Sequence, residues 1–318
     1  MAYQTGDNIL DDHYNAFANS NTNNINKIWG VGTGNYGYGQ SNTVDTVDVG
    51  DTVQASQWNT ILTRMRSIAD HQGTGITTAD SGQLATGDII AAISTIDADI
   101  TTLGNARTTA ASGNLTVSSD VTGTRTFTGS WTTSTVQEWK ITFAGGDEAR
   151  YFFNAGGYVQ FAGTLAGYTD REKSKDWENL LETRFGTFKM FSDTSSESGN
   201  ATPATNNTST GYYDLGTGYA VIFKMFGGQL TYDYYDDNFI QIEGKAAGEH
   251  GDARGNVGEH VTLKVTLSDA AADDGASNTD QVDGNLKFAW AVAKPNQNFR
   301  NNDSVGSITT EEVSQSQS

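Results

Sequence analysis

Residues 110–143 begin Ala110-Ala111-Ser112-Gly113-Asn114-Leu115-Thr116-Val117-Ser118-Ser119-Asp120-Val121 and, past Gly123 and Trp131, end Val136-Gln137-Glu138-Trp139-Lys140-Ile141-Thr142-Phe143. The period of the apolar residues changes here from helical spacing to alternation, so residues 110–114 read as a linker between two kinds of structure. Downstream, Thr/Val-rich and aromatic segments bounded by Gly and Asn predict strands at 115–121, 124–131, 136–143, 149–153, 158–164, 187–191, 219–226, 239–245, 260–267 and 286–292. One helix over 174–184 interrupts them, with Trp177, Leu180 and Leu181 on its apolar face. Ten strands and one helix predict a β-sandwich-like domain over residues 111–295. The polar stretch 193–210 reads as an exposed loop, and 296–318 as a flexible C-terminal tail.

Upstream, residues 1–110 read as an α-helical docking and oligomerisation module, making the whole chain mainly β with an N-terminal helical part. The module contains an internal echo. Gly6-Asp7-Asn8-Ile9-Leu10-Asp11-Asp12-His13-Tyr14-Asn15 aligns without gaps with Gly50-Asp51-Thr52-Val53-Gln54-Ala55-Ser56-Gln57-Trp58-Asn59. Each copy predicts a turn, a short extended piece and a helix carrying the aromatic residue. In the second copy Trp58, Ile61, Leu62, Met65 and Ile68 keep helical spacing up to a stop at His71-Gln72-Gly73. Between the copies, the Gly/aromatic run 29–40 lacks the strand-then-helix setting of a dinucleotide fingerprint. It reads as a loop whose Trp29, Tyr36 and Tyr38 cover the helices, and Tyr14, Trp29, Tyr38 and Trp58 are the candidate docking residues.

Ile89, Ile93, Ile96, Ile100 and Leu103 follow a four-three-four-three spacing that ends at Gly104. Ile at both core positions of a heptad favours three or more strands, which predicts a short trimeric helical bundle with these five residues as its interface. An ordinary amphipathic helix packed on the preceding module explains the same spacing.

Composition narrows the function. With 19 Lys+Arg against 38 Asp+Glu, the net charge is −19 and the basic residues are scattered, so a surface that tracks nucleic-acid phosphates is excluded. Zero Cys removes disulfides and thiolate chemistry. No window of 18 apolar residues predicts a membrane span, and the N-terminus lacks the features of a signal peptide. His13, His71, His250 and His260 form no ligand pair of zinc-site spacing. The acidic groups at Asp233, Asp236 and Asp237, at Asp269, Asp273 and Asp274, and at Asp280 and Asp283 do not follow a calcium loop and read as solvated turns. No metal or cofactor is expected. No nucleophile elbow, Walker loop or kinase signature is present, so no catalytic residue is assigned and the expectation is a non-enzyme.

The residues also resemble a family. Asp11-Asp12-His13-Tyr14-Asn15, Gly37-Tyr38-Gly39-Gln40-Ser41 and Gly50-Asp51 through Trp58-Asn59 to His71-Gln72-Gly73 are similar to the start of virion structural proteins of tailed bacteriophages, notably those of aquatic bacteria. Phe153-Asn154-Ala155-Gly156-Gly157-Tyr158-Val159-Gln160-Phe161, Asp176-Trp177 and Asp280-Gln281-Val282-Asp283-Gly284 resemble the β-rich part of the same proteins. The resemblance implies a building block of the particle, assembled in the host cytoplasm. A trimeric tail, baseplate or neck appendage or fibre is the first expectation, with capsid decoration or host-receptor (glycan) binding as alternatives. The partners it implies are further copies of the chain, other virion proteins and a host-surface glycan or protein.

Overall fold

The computed structural model describes residues 11–80, 93–169, 171–199, 204–206, 209–227, 237–247, 258–270, 281–299 and 304–318. The chain forms two compact units. The first comprises Met1–Thr116, Arg150–Gly157 and Lys294–Gly306; the second comprises Val117–Ala149, Tyr158–Ala293 and Ser307–Ser318. The first thus gathers two segments that lie far beyond the expected boundary at 110.

The first unit is helical: α1 (Asp11–Asn15) runs into a π turn (Ala16–Ser20), followed by α2 (Ile25–Trp29), α3 (Ala55–Gln72) and α4 (Ile93–Asn105). Helix α3 opens where the Gln54 N–H donates to Gln57 Oε1 at 2.7 Å, and it stops at Gly73, whose φ of 70° suits a residue without Cβ. Trp58, Ile61, Leu62, Met65 and Ile68 form one buried stripe, as their spacing predicts. Tyr14 and Phe17 meet the Trp58 ring edge-on at 5.6 and 6.0 Å. In the second echo the aromatic residue therefore sits at the centre of the core; residues 6–10 of the first lie outside the described residues.

Two expectations change here. Tyr14, Trp29, Tyr38 and Trp58, proposed as docking residues, are each at most 1% exposed, so their rings form the unit's own core and leave nothing for a partner. Ile96, Ile100 and Leu103 join the same cluster, packed with Trp58, Met65 and Ile68. The interface residues Ile96, Ile100 and Leu103 are thus covered by this chain, and the trimeric bundle expected from them loses its apolar surface. Ile89 lies outside the described residues, and Ile93 opens α4. Ile96→Asp should consequently lower the stability of the first unit by about 3 kcal/mol or more, because the carboxylate gains no partner. Urea unfolding followed by near-UV circular dichroism checks this. A variant of unchanged stability that loses only its oligomeric state would restore the interface reading.

The second unit is mostly β. Its strands are β1 (Leu115–Thr128), β2 (Ser134–Phe143), β3 (Tyr158–Ala166), β4 (Thr187–Met190), β5 (Ser195–Glu197), β6 (Ala204–Asn206), β7 (Ala220–Phe226), β8 (Phe239–Ala246), β9 (His260–Ser268), β10 (Asn285–Pro295) and β11 (Ile308–Gln317). They make two antiparallel sheets, in the orders β1-β10-β3-β4-β5 and β11-β2-β9-β8-β7-β6. In β2 alternate residues Thr135, Gln137, Trp139, Ile141 and Phe143 are buried, the period-two pattern of a strand with one covered face. Trp139 stacks on Phe161 of β3 at 5.2 Å and on Trp290 of β10 at 5.5 Å, so rings of both sheets share one core.

Residues 115–121 and 124–131, expected as two strands, are the single strand β1 and its exit. Gly123 sits where the Trp290 indole passes, and a Cβ there would lie 2.1 Å from Trp290 Cε2. That glycine makes room for a ring instead of ending a strand. Residues 149–153, expected as a strand, belong to helix α5 (Gly146–Asn154). Asp147 and Glu148 favour its first turn, and Ala149, Phe152 and Phe153 recur at helical spacing.

The tail expected over 296–318 contains β11, a ten-residue edge strand paired antiparallel with β2. Most of its side chains are exposed, so it has no apolar stripe to read. Backbone bonds, the Lys140–Glu311 ion pair and Arg125 at 3.7 Å from Glu312 hold it. Within the expected loop 193–210, β5 and β6 add short edges to the two sheets. Among the described residues no helix is long and apolar enough to cross a membrane.

Candidate functional site

The chemistry that the sequence places on turns is used inside the fold. Arg150 donates to the backbone oxygens of Val31, Gly34 and Tyr36, and Asn154 to those of Gly34 and Gly37. The carbonyls of the Gly/aromatic run therefore grip side chains of their own unit. In the second unit Asp269, read as a solvated turn residue, is buried, with its Oδ2 2.7 Å from Lys173 Nζ. Asp283 is likewise structural. It accepts from the Thr169 N–H at 3.0 Å and from Ser174 Oγ at 2.6 Å, with Arg171 at 3.8 Å. Burial pushes its carboxyl up, and those donors outweigh the effect and hold it below the usual carboxylate range.

Asp283 fixes the entry to α6 (Glu172–Glu178), which continues into a π-helical stretch, Asn179–Phe185. Trp177, Leu180, Leu181 and Phe185 bury the apolar side of this segment. Beside this segment opens a cleft of about 510 Å³ lined by Tyr168, Lys175, Asp176, Glu178, Asn179, Glu182 and Thr183. The wider π turn brings Asn179, Glu182 and Thr183 to the cleft that Asp176 lines. Two of the carboxylates are anchored: Glu178 accepts from the Tyr168 hydroxyl at 2.6 Å, and Glu182 from the Leu165 N–H at 3.2 Å.

Asp176 differs from its neighbours. It is 3% exposed, and its Oδ2, like Asn179 Oδ1, is buried without a hydrogen-bond partner among the described residues. Burial, reinforced by the charge of Glu172, pushes its carboxyl up to about 7. A perturbed carboxyl lining a cleft is the pattern of a functional site.

The raised value also sets a pH dependence. The folded state binds the Asp176 proton more tightly than the unfolded chain, so the side chain costs nothing below about pH 4, and its penalty grows as pH rises through about 7. Asp176→Asn should leave stability unchanged at pH 4 and raise it at pH 8 by about 2 kcal/mol, the open cleft screening part of the full effect. Urea midpoints at the two pH values test the sign.

A second polar cluster lies on the exposed face of the β2–β9–β8 sheet. Tyr219 donates to Glu138, which also accepts from Ser314 Oγ at 2.8 Å, while Lys245 and Lys264 lie 4.3 Å from the Tyr219 ring centre. Burial pushes Glu138 up, but the hydroxyls and lysines outweigh it and keep it ionised. The donors and acceptors here are mutually satisfied, and the cluster ties four strands together. Among the described aromatic residues between 212 and 239, Tyr212 and Phe223 are fully buried, whereas Phe226 is 37% exposed. Among the described residues no group of three or more His, Asp or Glu side chains is arranged to hold a metal ion.

No protein-family model, no curated protein and no solved structure matches the chain.

Proposed function

We propose that the chain is a structural component of a tailed-phage virion, built into a tail, baseplate or neck appendage. The resemblance of its N-terminal and β-rich segments to such proteins carries the reading. The architecture is compatible with it: polar groups that elsewhere serve ligands here lock backbone and strands together, as Arg150, Asn154, Asp283 and Glu138 do. We read the two sheets of the second unit as a sandwich, closed across Trp139, Phe161 and Trp290. Contacts with other copies and with other virion proteins then use surfaces other than Ile96, Ile100 and Leu103, which are buried in the chain's own core. Mass spectrometry of gradient-purified particles of the encoding virus should find peptides of this chain at a fixed ratio to the major structural proteins. Particles that lack them would refute the proposal.

A further inference from the structure

The cleft over α6 presents acceptors without donors. Asp176 Oδ2 and Asn179 Oδ1 are both buried, both unpartnered among the described residues, and both belong to the lining of one cavity. A buried acceptor left without a donor costs stability, so two such oxygens belonging to the lining of one cavity point to a ligand that supplies the donors. The lining adds charge: it holds three carboxylates, Asp176, Glu178 and Glu182, and one cation, Lys175. Two basic side chains nearby are committed elsewhere, Lys173 to Asp269 and Arg171 to Asp283. A bare metal ion is a poor match, because no three acidic or His groups among the described residues converge. Neutral hydroxyls would supply donors but leave the buried negative charge uncompensated.

We propose that this cleft binds a primary ammonium group, with Asp176 and Asn179 accepting its N–H bonds and Glu178 and Glu182 forming the negative wall. An ammonium carries three donors and one positive charge in a compact tetrahedron, which serves two separated acceptors and neutralises the carboxylate. Free aliphatic polyamines and lysine side chains share this chemistry. Binding should require ionised Asp176 and release its proton. The other titratable groups around it are Glu172, Lys175, Glu178 and Glu182 on its own segment and Tyr168 on the loop before α6; β3, packed beneath, contributes none between Tyr158 and Ala166.

The test is calorimetric titration of the full chain with 1,4-diaminobutane and, separately, with an Nα-acetyl-lysine amide. The expected result is saturable binding of at least one of them at pH 8, weakened by about thirtyfold at pH 5.5, where the Asp176 carboxyl is protonated. Tighter binding of the diamine would assign a free polyamine, and tighter binding of the lysine derivative a neighbouring chain's side chain. Asp176→Asn, close to isosteric, and Asn179→Leu should each weaken binding by at least about tenfold with the circular dichroism spectrum unchanged. Absence of saturable heat with both probes, equal binding at the two pH values, or full binding by both variants would overturn the assignment. So would calcium that binds the cleft and excludes both amines.

Discussion

Replacing Lys173 by Ala should destabilise the second unit by about 3–5 kcal/mol, more than any surface change in the molecule. The Lys173 and Asp269 side chains are 4% and 0% exposed, with the ammonium 2.7 Å from the carboxylate. Asp269 is also fixed through its backbone, its N–H donating to the Thr133 oxygen at 2.8 Å, so its carboxylate is not free to swing into water when the lysine is removed. The penalty is therefore that of an abandoned buried charge and not the net worth of the pair. The double variant Lys173→Met, Asp269→Leu separates the two: it removes both desolvation costs and should recover most of the loss. Urea unfolding at pH 7 measures both variants. A single variant within about 1 kcal/mol of the parent would show that the pair is hydrated in solution.

Trp139→Ala should cost a similar amount, about 3–5 kcal/mol, through a cavity at the point where the two sheets meet. The ring is fully buried and lies nearly parallel to both Phe161 and Trp290, with interplanar angles of 21°. Such pairs add about 0.5–1.5 kcal/mol each beyond the area they bury. Trp139→Phe should retain part of the packing and lose clearly less. Its Nε1–H has no partner among the described residues, so the indole acts there as bulk and not as a donor. Chemical denaturation with intrinsic fluorescence checks both variants. A Trp139→Ala protein as stable as the parent would mean that the stacked rings are not what joins the sheets.

Where one face of an element is covered by apolar side chains, the sequence carries its signature. The alternation around Trp139, Ile141 and Phe143 and the helical spacing from Trp58 to Ile68 both place elements correctly. Strand β11 was not legible, because it is held by main-chain bonds and ion pairs that leave no hydrophobic period. Residues 149–153 misled for the opposite reason: their Tyr and Phe have high β propensity, and the helix depends on its acidic first turn and its covered face. Burial of the α4 residues could not be told from an interface, since both demand the same spacing.

The candidate cleft had a signal that the expected helix over 174–184 half revealed. Lys173 and Asp176 occupy positions that continue the buried stripe of Trp177, Leu180 and Leu181, so two charges stand where apolar residues belong. A charge at a buried helical position is either paired or poised for a ligand. Lys173 is the first case. Which acids share the cleft was not readable, because the π stretch shifts the angular positions of residues after Asn179.

The virion assignment is most directly tested by immunogold electron microscopy of intact particles of the encoding virus, using an antibody raised against residues 115–295. Gold confined to the tail, baseplate or neck is the result expected of an appendage. Label spread over the head would move the protein to the capsid surface and contradict the appendage, and particles without label would contradict the virion assignment itself.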